Sequence, residues 1–215
     1  MIRLDILSDP ICPWCFIGKR HLDRALAEAG NPFEIFWHPF QLNPDMPRAG
    51  MDRREYLERK FGGRDRAAAV YAQIDAAARE IGLEIDWSAI GRTPSTLDAH
   101  RLMHWSALEG RQNVLVDGLF RAYFLEGRDI GDTGTLADIA EDSGMDREVI
   151  ARLLESPTDE DEINRRDAHA RERGVQAVPT FVVAERHVVS GAQPPELWKQ
   201  VIAELSGAPK GVRVS

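Results

Sequence analysis

Cys12 and Cys15 are the only cysteines in 215 residues, and they stand together as Cys12-Pro13-Trp14-Cys15. The motif follows a strand-like run over 2–7, and a helical pattern begins at its first cysteine. A helix start offers unpaired N–H groups and a partial positive charge, which stabilise a sulfur placed there as the thiolate. The thiolate is the species that attacks a disulfide. Cys12 therefore reads as an exposed nucleophile, and Cys15, one turn further in, as the thiol that resolves the mixed disulfide. Three plainer readings compete with this exchange chemistry. Tetrahedral zinc takes four ligands; no second C-x-x-C and no closely spaced histidines supply them, so no metal is expected. A structural disulfide here would close a very short loop, where a cross-link stabilises least. Two unrelated buried cysteines are the third reading.

The elements that must position this pair alternate at both ends of the chain. Cys15, Gly18, Leu22, Ala25, Leu26 and Ala29 form an apolar stripe at helical spacing, and Gly18 on it permits close packing. Gly30-Asn31-Pro32 stops that helix, and 33–37 reads as a second strand. A right-handed crossover makes the two strands parallel. The middle carries no strand pattern and reads as successive helices: near 52–60, 67–81, 95–108, 114–125, around 136–139 and 149–154. The segment 114–125 is apolar on most sides and predicts the central helix of this unit. Thr158-Asp159-Glu160-Asp161 predicts a capping-box helix start, with Arg171 and Arg173 in its last turn. A β-rich run over 174–183 with Pro179 at the entrance of its strand, a link at 184–186 and a strand over 187–190 predict a hairpin. Pro194-Pro195 opens a final helix, and the tail at 209–215 reads as frayed.

Composition narrows the partners. At 43% hydrophobic and 29% charged, the chain has the make-up of a soluble globular protein. A net charge of −8 argues against nucleic acid, and no apolar run is long enough to span a membrane. The N-terminus enters a strand directly, with no leader pattern, so the expected compartment is the cytoplasm. In that reducing setting a cysteine pair is more often catalytic than structural.

The order strand, C-x-x-C helix, strand, helical block, helix, strand pair, helix resembles a thioredoxin-like α/β fold with a large all-helical insertion, the layout of the DsbA-like oxidoreductases. Within that group the chain resembles the FrnE-like branch. The motifs that carry the likeness are Ser8 to Lys19 (SDPICPWCFIGK), Trp37 to Pro44 (WHPFQLNP), Thr96 to Leu102 (TLDAHRL) and Ser190 to Pro194 (SGAQP). Its neighbours are the 2-hydroxychromene-2-carboxylate isomerases and the kappa-class glutathione transferases, which usually carry serine where Cys12 stands.

The resemblance implies residues 1–44 and 158–208 as a discontinuous thioredoxin-like unit and 45–157 as the insertion. The insertion should close over the cysteine edge and form a cleft with the Val178-Pro179 loop. Cys12 and Cys15 carry the exchange, Pro13 and Trp14 shape the site, and Pro179 matches a cis-proline that presents the backbone of Val178. Asp9 is read either as a proton relay or as a turn acid. His38 is read as packed or solvated sooner than as a partner of the thiols, and His100 and Arg101 as a solvated helix face. Ser190, Gly191 and Gln193 match a loop that contacts glutathione in relatives. No tightly held cofactor is expected; glutathione is the candidate co-substrate, and the partners are protein or small-molecule disulfides and dithiols. A glutathione-dependent isomerase or transferase, and a non-catalytic binding module on the same fold, stand as the alternatives.

Overall fold

A computed structural model of the protein describes residues 1–207; the expected tail at 209–215 lies outside the described residues. Strand β1 (Ile2–Ser8) runs into helix α1 (Pro13–Ala29), which returns to β2 (Phe33–Pro39). The pair is parallel, in register from Ile2 opposite Phe33 to Ser8 opposite Pro39. Cys15, Gly18, Leu22 and Ala25 of the apolar stripe are buried, while Ala29 emerges into solvent as the helix ends.

The middle of the chain folds as α2 (Arg53–Phe61), α3 (Arg64–Glu80), α4 (Leu97–Leu108), α5 (Gln112–Phe124), α6 (Thr133–Asp142) and α7 (Arg147–Leu154). It is not strand-free. Strands β3 (Met51–Asp52) and β4 (Arg92–Thr93) form a small antiparallel ladder. Two residues per strand show no alternation, so periodicity does not register them. Gly50 makes the approach possible: its φ is +66°, and a Cβ there would lie 2.8 Å from the Thr93 carbonyl oxygen.

Helix α8 (Glu160–Glu172) leads back to the sheet, followed by β5 (Thr180–Val183), β6 (His187–Ser190) and α9 (Pro195–Leu205). The four-stranded order is β2-β1-β5-β6, with β5 antiparallel to both of its neighbours. Ala184 and Glu185, at φ +52° and +56°, turn the hairpin with the left-handed backbone that matches strand twist. The expected capping box of α8 is not formed. Asp159 takes a left-handed φ of +64° and makes no cap hydrogen bond; its carboxylate instead accepts from Trp105 Nε1 at 2.8 Å. Arg171 lies in the last turn as expected, and Arg173 falls just past it.

His100 and Arg101 overturn the expectation of a solvated face: both are buried. Arg101 donates to the carbonyls of Leu153, Ser156 and Thr158 at 2.6–2.7 Å and to Asp98 at 2.6 Å. A guanidinium offers five fixed donors, and backbone carbonyls exposed where α7 ends use them. Burial, and then the charge of Arg166, bring the His100 pKa down to about 3, so its ring is neutral. The insertion and the sheet unit share one apolar core. Phe16 of α1 stacks on Phe120 and Phe124 of α5, with centroids 5.2 and 5.6 Å away.

Candidate redox site at the first turn of α1

The site begins where β1 stops. Ile11 N–H donates to Asp9 Oδ1 at 3.1 Å, and Cys12 N–H to the Asp9 carbonyl at 2.9 Å, so Asp9 shapes the turn that delivers the motif. Cys12 occupies the N-cap of α1 in an extended conformation, with no side-chain cap over the first turn. Pro13 follows inside the first turn, where its missing N–H leaves no gap in the hydrogen bonding. The Cys12 S–H donates to the carbonyl of Val178 at 3.6 Å, and the Val178–Pro179 peptide is cis.

The cysteines are both free thiols and both buried, Cys12 at 4% exposure and Cys15 at 1%. Cys12 was expected to be open, beside a cleft. Instead Ile11, Pro13, Val178 and Pro179 are buried with it, and only Trp14, at 37% exposure, breaks the surface. The carbonyl of Val178 seats the sulfur inward, which is why the helix-start position does not leave it exposed. Burial pushes the Cys15 thiol well above its ordinary range, reinforced by its hydrogen bond to Cys12 and the charge there; Ser8 and the Asp9 backbone pull the other way.

Asp9 itself is fully buried. Its Oδ2 accepts from Leu42 N–H at 2.6 Å and from the Thr96 hydroxyl at 3.3 Å, so one carboxylate ties the cysteine turn to the segment after β2 and to the start of α4. Burial raises its pKa to about 6, and those hydrogen bonds with that of Ile11 hold it from rising further. The turn-acid reading describes this geometry.

The Pro179 loop is gripped from two sides. On α1, a Cβ added at Gly18 would meet Pro179 Cγ at 3.1 Å, so the glycine sets how closely the loop approaches the helix. On the other side Gly191 N–H donates to the Pro179 carbonyl at 2.8 Å. His21 Nδ1 holds the Gln193 carbonyl at 2.9 Å, and the Gln193 amide folds back onto the Ser190 carbonyl. Ser190, Gly191 and Gln193 thus form a loop latched to the cysteine end.

His38 does not join the thiols. Its Nε2 donates to Asp5 at 2.6 Å, its Nδ1 accepts from Arg166 at 3.1 Å, and burial lowers its pKa. Tyr71 of α3 escaped the sequence reading. Burial raises its phenol pKa and the charge of Arg53 counters this, while its ring stands edge-on to Trp87 with centroids 4.8 Å apart. The available signal was its position four residues after Ala67 on the buried stripe of α3. Among the described residues, no three His, Cys, Asp or Glu side chains group as metal ligands.

The model of the DSBA-like thioredoxin domain matches residues 3–203. The chain belongs to that family. YwbO of Bacillus subtilis, itself uncharacterized, is 27% identical over 204 residues, 94% of this chain and 96% of that one. A probable DsbA oxidoreductase from Streptomyces coelicolor superposes with a TM-score of 0.84 at 29% identity, covering 100% of this chain and 94% of the other. A 2-hydroxychromene-2-carboxylate isomerase superposes at 0.71 and 16% identity (95% and 96% covered). DsbM, a cytosolic disulfide reductase from Pseudomonas aeruginosa, determined with GSH, superposes at 0.69 and 18% identity (95% and 99% covered). At those identities the last two share the fold with this DsbA-like chain. No helix among the described residues is long and apolar enough to cross a membrane.

Proposed function

We propose that this DsbA-like protein is a thiol–disulfide oxidoreductase of the FrnE-like kind, working in the cytoplasm on disulfides through Cys12 and Cys15. The observation that carries the reading is the stacking of the pair: Cys12 at the N-cap against the Val178 carbonyl, and Cys15 buried beneath with its thiol held protonated.

In the reducing direction the Cys12 thiolate attacks one sulfur of a substrate disulfide and expels the other as a thiolate, leaving a mixed disulfide. Cys12 then carries no charge and accepts no proton. Two of the three influences that raise the Cys15 pKa, the hydrogen bond to Cys12 and its charge, are gone at that moment. Cys15 loses its proton more easily when it is needed and attacks the Cys12 sulfur. The remaining substrate thiolate leaves, protonated by solvent. The substrate gains two electrons and the pair closes as a disulfide; the reverse sequence oxidises a dithiol.

Glutathione as co-substrate is supported by the loop Ser190 to Gln193 being latched to Pro179. The test is mass spectrometry of Cys15→Ser after incubation with a protein disulfide and, separately, with oxidised glutathione. A stable adduct on Cys12 is expected, and none in Cys12→Ser. Adducts from neither reagent would sink the redox reading. An adduct from glutathione alone favours the glutathione-linked isomerase or transferase reading.

A further inference from the structure

The sheet face turned away from α1 is only half covered. Helix α8 packs on β2, and a groove of about 1390 Å³ runs beside it over Asp5 and Leu7 of β1, Thr180 and Val182 of β5, and Val188 of β6. That volume exceeds the roughly 300–1,000 Å³ of ordinary small-molecule pockets. Five arginines line it, although the chain as a whole carries −8. Two of them are neutralised: Arg3 by Asp5 and Glu185, and Arg165 by Glu162. Arg166, Arg173 and Arg186 have no ion pair among the described residues. Arg166 is also half-buried, and donates only to the imidazoles of His104 and His38, at 3.2 and 3.1 Å. A cation withdrawn from water with no anion beside it is costly unless a ligand supplies one.

The open side of the groove is a strand edge. Sheet order ends at β6, so alternate N–H and C=O groups of His187–Ser190 point away from the sheet. Val188, paired with Val182, is 65% exposed on that edge. The last eight residues of the chain carry Lys210 and Arg213 and no acid, so their sequence is not the complement of this rim.

We propose that the groove is a docking site for an extended acidic polypeptide segment of a partner protein. The segment adds to β6 as a further strand, its carboxylates meet Arg173 and Arg186 at the near rim, and its apolar side chains cover Val188. Ala177 and Thr180 line the same groove and flank Val178, so the docked segment ends beside the redox site. The inference does not depend on the exchange chemistry.

Its test is binding of a short, cysteine-free, fluorescein-labelled peptide repeating Val-Thr-Glu-Thr, which puts valine and glutamate on the same face of a strand, read by anisotropy, with glutamine and lysine in place of glutamate as comparison. The acidic peptide should bind, weaken with salt, and protect the β6 amides from hydrogen exchange. The lysine version should not bind. Arg173→Glu with Arg186→Glu, both exposed positions, should weaken the acidic peptide by at least about tenfold and admit the lysine peptide. No binding, binding indifferent to the double reversal, or binding without protection of β6 would each overturn the proposal. Self-association of the protein that displaces the peptide would overturn it too, in favour of a second copy as the occupant.

Discussion

Asp9 shows how one buried carboxylate can matter beyond its hydrogen bonds. Its pKa, near 4 in an unfolded chain, is about 6 in the fold. The folded state therefore holds its proton more tightly, and the stability this contributes is fully present below about pH 4 and is lost as pH rises through about 6. That difference corresponds to about 3 kcal/mol. The unfolding free energy of wild type minus that of Asp9→Asn should accordingly fall by up to about 3 kcal/mol between pH 4 and pH 7. Denaturant titrations across that range measure it, and a difference independent of pH would show that Asp9 titrates like a solvated acid. The same carboxylate joins the cysteine turn to Leu42 and Thr96, so the variant should also shift the pH profile of exchange.

At the scale of elements, spacing in the sequence revealed what has a period and missed what does not. Helix α1, its apolar stripe, the parallel β1–β2 pair, the hairpin and the final helix were legible because burial of one face imposes a 3.6- or 2-residue repeat. The β3–β4 ladder, the uncapped start of α8 and the burial of Arg101 were not. Each is settled by a partner distant in sequence: Thr93 for Gly50, Trp105 for Asp159, the carbonyls at and just beyond the end of α7 for Arg101. The cysteines announced themselves by type and spacing. Their burial did not, because Val178 lies 166 positions away in the chain. Gly18 combines both lessons, being on the stripe by period and glycine by virtue of Pro179. Gly18→Ala places a Cβ 3.1 Å from Pro179 Cγ, which the loop can absorb by shifting a few tenths of an ångström. The variant should fold, helped by up to about 1 kcal/mol of helix propensity, yet exchange disulfides more slowly because the loop no longer meets Cys12 as before. Gly18→Val should in addition lose about 1–3 kcal/mol of stability from overpacking. Insulin-reduction rates beside thermal melts separate the two effects; wild-type rates in both variants would mean that the approach of loop to helix is not needed.

For the whole molecule, the insertion is tied into the same core as the sheet unit. Phe16 of α1 lies against Phe120 and Phe124; Lys19 of α1 reaches Asp117 of α5 at 3.2 Å; Gln112 closes the end of β2 through both the N–H and the carbonyl of Trp37. The helix that presents the cysteines is therefore packed between the two units, and neither can lose its structure without exposing part of the other's apolar surface. A chain of this length often unfolds in stages, but a shared core favours one transition. Loss of helical circular dichroism and loss of protection of Cys12 and Cys15 against alkylation should coincide along a denaturant titration. Phe120→Ala, which removes a fully buried ring at the centre of the junction, should destabilise by about 3–5 kcal/mol and move both signals together. If the thiols became reactive well before the helices melted, α1 would be held by the sheet unit alone, and the insertion would be a separate domain resting on it.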